Sequence, residues 1–173
     1  MSILNVLPFQ ETLNASMCGP ASLKIVLEYW GCSKTEQELA MLCDTDVESG
    51  TNDESLKRAA EVCGFKVEIK NDSSFGDIRS WLDKKVPLIV DWLSRGRNDY
   101  PDSAVAEGHF SVIVGLDEQF IYLQDPEIGR IRKIKRDDFL TVWFDYTGKQ
   151  INSWDDLIIR QIIAIYPPNH IDR

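Results

Sequence analysis

The chain is short of the residues that most often build metal and disulfide sites. Its 173 residues include two histidines and four cysteines. Cys18, Cys32, Cys43 and Cys63 stand at irregular spacings without a Cys-x-x-Cys pair, so no recognisable zinc pattern is present. No apolar run approaches the roughly 20 residues of a membrane-spanning helix, and membrane insertion is not expected. Long basic runs are missing too. The densest basic cluster is Lys133, Lys135 and Arg136, in a chain of net charge −9. That balance argues against nucleic acid and anionic membrane surfaces as main partners. "MSILNVLPFQ" lacks the basic start and cleavage pattern of a secretory signal, so a cytoplasmic location with reduced thiols is expected.

What is present suits one folded domain spanning residues 1–173, with 43% hydrophobic and 10% aromatic residues. Residues 19–30 are apolar nearly all round and predict a buried helix that stops at Gly31. "SKTEQELAMLC" predicts a second helix with Leu39, Met41 and Leu42 inward. "TNDESLKRAAEVCG" predicts a third, opened by a Thr51–Glu54 capping box and closed at Gly64. A strand at 65–70 and a helix at 73–85 follow. Strands are then expected at 86–93, 109–116, 119–125, 130–134 and 160–167, with a polar loop at 94–107 and a helix at 136–145. Helices first and mostly antiparallel strands second make an α+β arrangement of two lobes, helical over about 10–85 and sheet over about 86–167.

Cys18 opens the first helix. A cysteine there faces unpaired backbone N–H groups and the positive end of the helix dipole, both of which favour thiolate, the nucleophilic form. Gly19 permits close approach to the sulfur, and Pro20 fits a first helical turn. Taken alone, a lone cysteine such as Cys18 more often reads as a buried structural thiol. A nucleophile needs a base, and only His109 is credible, because His170 lies beyond Pro167-Pro168 and is expected to be solvated. A hairpin centred on Asp117 pairs Ile113 with Ile121 and His109 with Asp125, placing the carboxylate beside the imidazole on one face. A slip by one residue in that register would move it to the other face. Gln10, eight positions before Cys18, can offer a side-chain amide to an oxyanion.

"QETLNASMCGPASLKIVLEYWGC", with "GHFSVIVGLDEQFIYLQDPEIGR", resembles cysteine peptidase family 39, the bacteriocin-processing, double-glycine leader peptidases of the papain-like clan. The resemblance implies a papain-like fold with Cys18 as nucleophile, His109 as base, Asp125 as the residue orienting it and Gln10 as oxyanion donor. The Gln-to-Cys separation is a couple of residues longer than in many relatives. The best-known members are parts of exporters, whereas this sequence shows no P-loop and no membrane span. The expected activity is hydrolysis of a peptide or protein substrate through a thioester, with no metal or organic cofactor. Two alternatives stay open: a non-catalytic peptide-binding domain, and an acyl or peptidyl transferase of the same fold. The sequence does not fix the oligomeric state, so a homo-oligomer or partner protein is left open.

Overall fold

The computed structural model describes residues 3–14, 16–94, 107–148 and 150–170. Three helices come first: α1 (Cys18–Tyr29), α2 (Glu36–Leu42) and α3 (Asp53–Val62). β1 (Lys66–Lys70) and α4 (Phe75–Asp83) follow, then β2 (Leu88–Ser94), β3 (Glu107–Leu116), β4 (Phe120–Asp125) and β5 (Arg130–Lys135). A short α5 (Arg136–Leu140), β6 (Phe144–Tyr146), a 3-10 turn (Trp154–Asp156), β7 (Leu157–Ile159) and β8 (Ile162–Tyr166) complete the order. The main sheet is antiparallel throughout, in the order β1-β8-β2-β3-β4-β5, and β6 pairs with β7 separately. The architecture is the α+β arrangement expected. β1 nonetheless leaves the helical half of the chain to pair with β8.

α1 is the central element. Leu23, Ile25, Val26 and Leu27 are fully buried, packed on β3, α2 and α3. Each such side chain stabilises the fold by about 1.5–3 kcal/mol through removal from water. The helix ends where the sequence predicts, in a Schellman motif. Gly31 takes φ +80°, its N–H donates to Glu28, and the Cys32 N–H donates to Leu27.

Several local expectations are corrected. α3 is capped by Asn52, whose side chain accepts from the Ser55 N–H, and not by a Thr51–Glu54 box. Met41 is exposed and its place in the core is taken by Cys43, because α2 is short and turns Leu39 and Cys43 to one side. The segment 136–145 is not one helix. α5 stops at Leu140, and Phe144–Tyr146 runs as a strand against β7. The expected loop at 94–107 lies outside the described residues except for its ends, where Ser94 and Glu107 pair as strand residues. His170 is held: its ring bonds the Lys84 carbonyl at 2.7 Å and stands edge-on to Trp30.

Candidate active site

The first turn of α1 carries no side-chain cap. Pro20 has no N–H and the Ala21 N–H donates to Met17, which leaves the N–H groups of Cys18 and Gly19 at the helix mouth. Gly19 is required by the chain's own packing. A Cβ there would lie 2.8 Å from Cβ of Thr51. Cys18 is half-buried, between core and surface.

His109 lies on β3, buried with 8% of its surface exposed. Its Nε2 is 2.7 Å from Asp125 Oδ1, and its ring also hydrogen-bonds the Cys18 side chain. Burial favours the neutral ring, but the hydrogen bonds to Asp125 and Cys18 and the charges of both outweigh it, holding His109 well above the ordinary imidazole range. The structure thus brings Cys18, His109 and Asp125 into one row.

The hairpin register that led to Asp125 is shifted. Ile113 pairs with Leu123, not Ile121, because the turn spans 117–120 and a bulge lies between Ile113 and Gly115. The shift at Ile113 is two residues, so side-chain facing is conserved. Asp125 reaches His109 as a diagonal neighbour instead of a direct partner.

Asp125 is 1% exposed and still ionised. Burial pushes its carboxyl up, but the hydrogen bond and charge of His109, the charge of Arg132 and the Glu127 N–H prevail and hold it below the usual carboxylate range. Oδ1 accepts from His109 and from the Glu127 N–H, at 3.0 Å; Oδ2 accepts from Arg132 Nε at 2.6 Å. His109, Asp125 and Glu127 bring three donor atoms within 4.8 Å, a spacing a metal ion could use. The guanidinium of Arg132 already reaches both carboxylates there, with Nη2 3.4 Å from Glu127 Oε2.

Gln10 does not join the row. Its amide donates to the Glu127 carbonyl at 3.2 Å, and its side chain lies against Gly129, whose φ of +62° leaves that face bare. The adjoining Glu11 N–H donates to the Pro126 carbonyl. Gln10 and Glu11 therefore fasten the turn that carries Asp125. The Glu11 carboxyl has a buried oxygen without a hydrogen-bond partner. Burial, opposed by His109 and reinforced by Glu127, Asp125 and Glu36, pushes it up to about 7.

Sequence reasoning missed a second carboxyl group, on β2. Asp91 is 4% exposed and interacts with Asp145 of β6. Burial, then the charge of Asp145, its hydrogen bond and the nearby Cys18 and Asp53, push Asp91 well above the carboxylate range. Asp145 is raised as well, by burial, against the Tyr146 N–H and the Asp91 hydrogen bond. A Cβ at residue 108 would lie 2.1 Å from Asp145 Oδ2, so only glycine fits beside His109. A lone aspartate inside "VPLIVDWL" was the available signal, since a buried charge must be paired or neutralised.

Comparison with known proteins gives a consistent picture. Residues 3–151 match the family described as the Peptidase_C39 like family. The chain is 27% identical over 128 residues to the Lactococcin-A transport/processing ATP-binding protein LcnC of Lactococcus lactis subsp. lactis, covering 73% of this chain and 16% of that protein. It is 35% identical over 127 residues to an uncharacterized protein of Methanothermobacter thermautotrophicus, covering 73% and 75% of the two. The chain thus spans about a sixth of the length of the transport proteins it matches, such as LcnC. The fold is similar to that of a double glycine motif protease from an AMS/PCAT transporter, solved with its leader peptide, at TM-score 0.65 and 22% identity over 96% of this chain and 94% of that one. No helix among the described residues is long and apolar enough to cross a membrane.

Proposed function

Because the chain belongs to the Peptidase_C39 like family, we propose that it is a cysteine peptidase acting through a Cys18 thioester. The observation that carries the reading is His109 bonded on one side to Cys18 and on the other to a buried, ionised Asp125. The Cys18 sulfur attacks a peptide carbonyl while its own N–H, at the helix mouth, faces the developing oxyanion. His109 hands its proton to the leaving amine, then takes one from the water that opens the thioester. Asp125 holds the Nε2–H, so that Nδ1 is the atom that takes the Cys18 thiol proton as the sulfur attacks and then passes it to the leaving amine. Gln10 serves as second oxyanion donor if its amide exchanges the Glu127 carbonyl for the oxyanion. By analogy with relatives named for transport and processing, the substrate is a peptide carrying a leader. A cytoplasmic site of action is part of the same proposal.

A mixture of peptides with varied residues before the scissile bond, small ones included, tests this by mass spectrometry. Hydrolysis by the native chain is expected, with loss of at least about 10³-fold in Cys18→Ala and His109→Ala. Cleavage persisting in Cys18→Ala would overturn the assignment. Products joined to an added amine in place of water would instead establish the transferase alternative.

A further inference from the structure

The Asp125 carboxylate has two oxygens, and only one faces His109. The other accepts a short bond from Arg132 Nε, at 2.6 Å, on the neighbouring strand β5. In the β4–β5 register Arg132 lies opposite Leu123 and Arg130 opposite Asp125, so Arg132 reaches Asp125 as a diagonal neighbour on one face. Its guanidinium is further fixed by Glu127, at 3.4 Å, and by the face of Trp92, 5.7 Å from the ring centroid. Trp92 is itself pinned, with Nε1 donating to Ser111 Oγ at 3.1 Å and its ring edge-on to His109 at 5.9 Å. Arg132 is therefore tied to the imidazole by two routes: through the shared carboxylate and through a common indole.

We propose that Arg132 is a positioning residue of the site, a cation that keeps Asp125 ionised and aimed and that limits how tightly the Cys18–His109–Asp125 row holds its protons. The inference rests on the peptidase reading above. Its physical content is a sign. A fixed positive charge lowers the proton affinity of every group near it. The groups that share this neighbourhood are Cys18 of α1, Glu11 of the N-terminal segment with Glu36 of α2 beyond it, Asp91 of β2 with Asp145 of β6 and Asp53 of α3 behind it, His109, Glu127 of the turn, and Arg130 of β5. Removing the Arg132 charge raises the proton affinity of the row. Removing the Glu127 charge lowers it, because it subtracts a negative charge and frees the guanidinium to act on Asp125.

The test is the rate of Cys18 alkylation by iodoacetamide against pH, read by peptide mass in the full chain and needing no known substrate. In Arg132→Met the midpoint of the profile should rise by about one pH unit, so that reactivity at the native midpoint falls about fivefold. Arg132→Lys, which keeps the charge, should stay near the native profile, and Glu127→Gln should move the other way. A profile that does not move in Arg132→Met, or that moves equally in Arg132→Lys, would overturn the proposal. If Arg132→Met does not fold, Arg132→Gln, which keeps a hydrogen-bonding head without the charge, takes its place, with the same upward displacement expected and an unmoved profile overturning the proposal. If Cys18 is no more reactive than Cys32 in the native chain, the peptidase reading fails first, and the two failures are distinguishable.

Discussion

Asp125 and Asp91 are both buried aspartates close to the Cys18–His109 pair, and they meet opposite fates. Asp125 is 1% exposed with its carboxyl held below the usual range; Asp91 is 4% exposed with its carboxyl pushed well above it. Burial acts on both in the same direction. The difference lies in what they face. Asp125 accepts from an imidazole, a guanidinium and a backbone N–H, whereas Asp91 meets a second carboxyl and has an oxygen without a partner. One carboxylate is a counter-ion for His109. The other is pushed toward its neutral form and so adds less charge beside Cys18. Were Asp91 ionised as well, Cys18 would face a second negative charge, one without the cation that compensates Asp125.

The largest effect on this contrast is expected from Asp125→Asn. The amide keeps the shape but not the charge, and leaves Arg132 without its counter-ion. Peptidase turnover should fall by about 10²-fold or more. Stability should fall by no more than about 3 kcal/mol, the low end for a broken buried pair, because the Arg132 side chain is 24% exposed. Turnover and urea unfolding measure the two parts separately.

Gly108→Ala should come next. The new methyl displaces the Asp145 carboxylate and so breaks the acid pair from the β6 side. A loss of about 1–3 kcal/mol is expected, as for other overpacked sites. Combining it with Asp145→Ala should recover most of that loss. Failure of the double variant to recover would show that the clash is not the cause.

The two aspartates should also leave opposite marks on stability against pH. The Asp125 carboxyl is depressed in the folded chain, so its contribution is present above the ordinary carboxylate range and is lost as pH falls. Asp91 and Asp145 are raised, so theirs is present at low pH and is lost as pH climbs through their folded values. Asp125→Asn should flatten the acid side of a melting-temperature profile and Asp91→Asn the part above the ordinary carboxylate range. Glu11→Gln is the smallest change. The Glu11 carboxyl is raised to about 7, so the variant should gain on the native chain as pH rises through that value. A Glu11→Gln profile parallel to the native one would show that Glu11 does not titrate in this range in the folded chain.

Much of this was legible in the sequence, for reasons that can be named. Cys18 was visible because glycine and proline mark a helix start. Asp125 was found through an imperfect register, and survived because a two-residue shift preserves facing. Arg132 was not found. "RIRKI" alternates charged and apolar residues as any half-exposed strand does, and nothing local says which charge turns toward a carboxylate on the next strand. Asp145 was hidden by reading "RDDFLTVWFD" as one helix, where the β-branched and aromatic run from Thr141 marked a change. The Gln10 amide bond to Glu127 depends on a contact between residues 117 positions apart, which no local pattern encodes.

Of the four cysteines only Cys18 stands at a helix start beside His109, and the chain supplies its own controls. Burial pushes the Cys43 thiol up to about 12, with Cys63 adding to it and Arg58 opposing. Cys63 is raised as well, chiefly by burial. Brief iodoacetamide treatment near pH 6, followed by peptide mapping, ranks all four in one experiment. Cys18 should be modified first, by at least about tenfold over the others, and the lead should disappear in His109→Ala. Modification of Cys32 or Cys63 as fast as Cys18 in the native chain would contradict it.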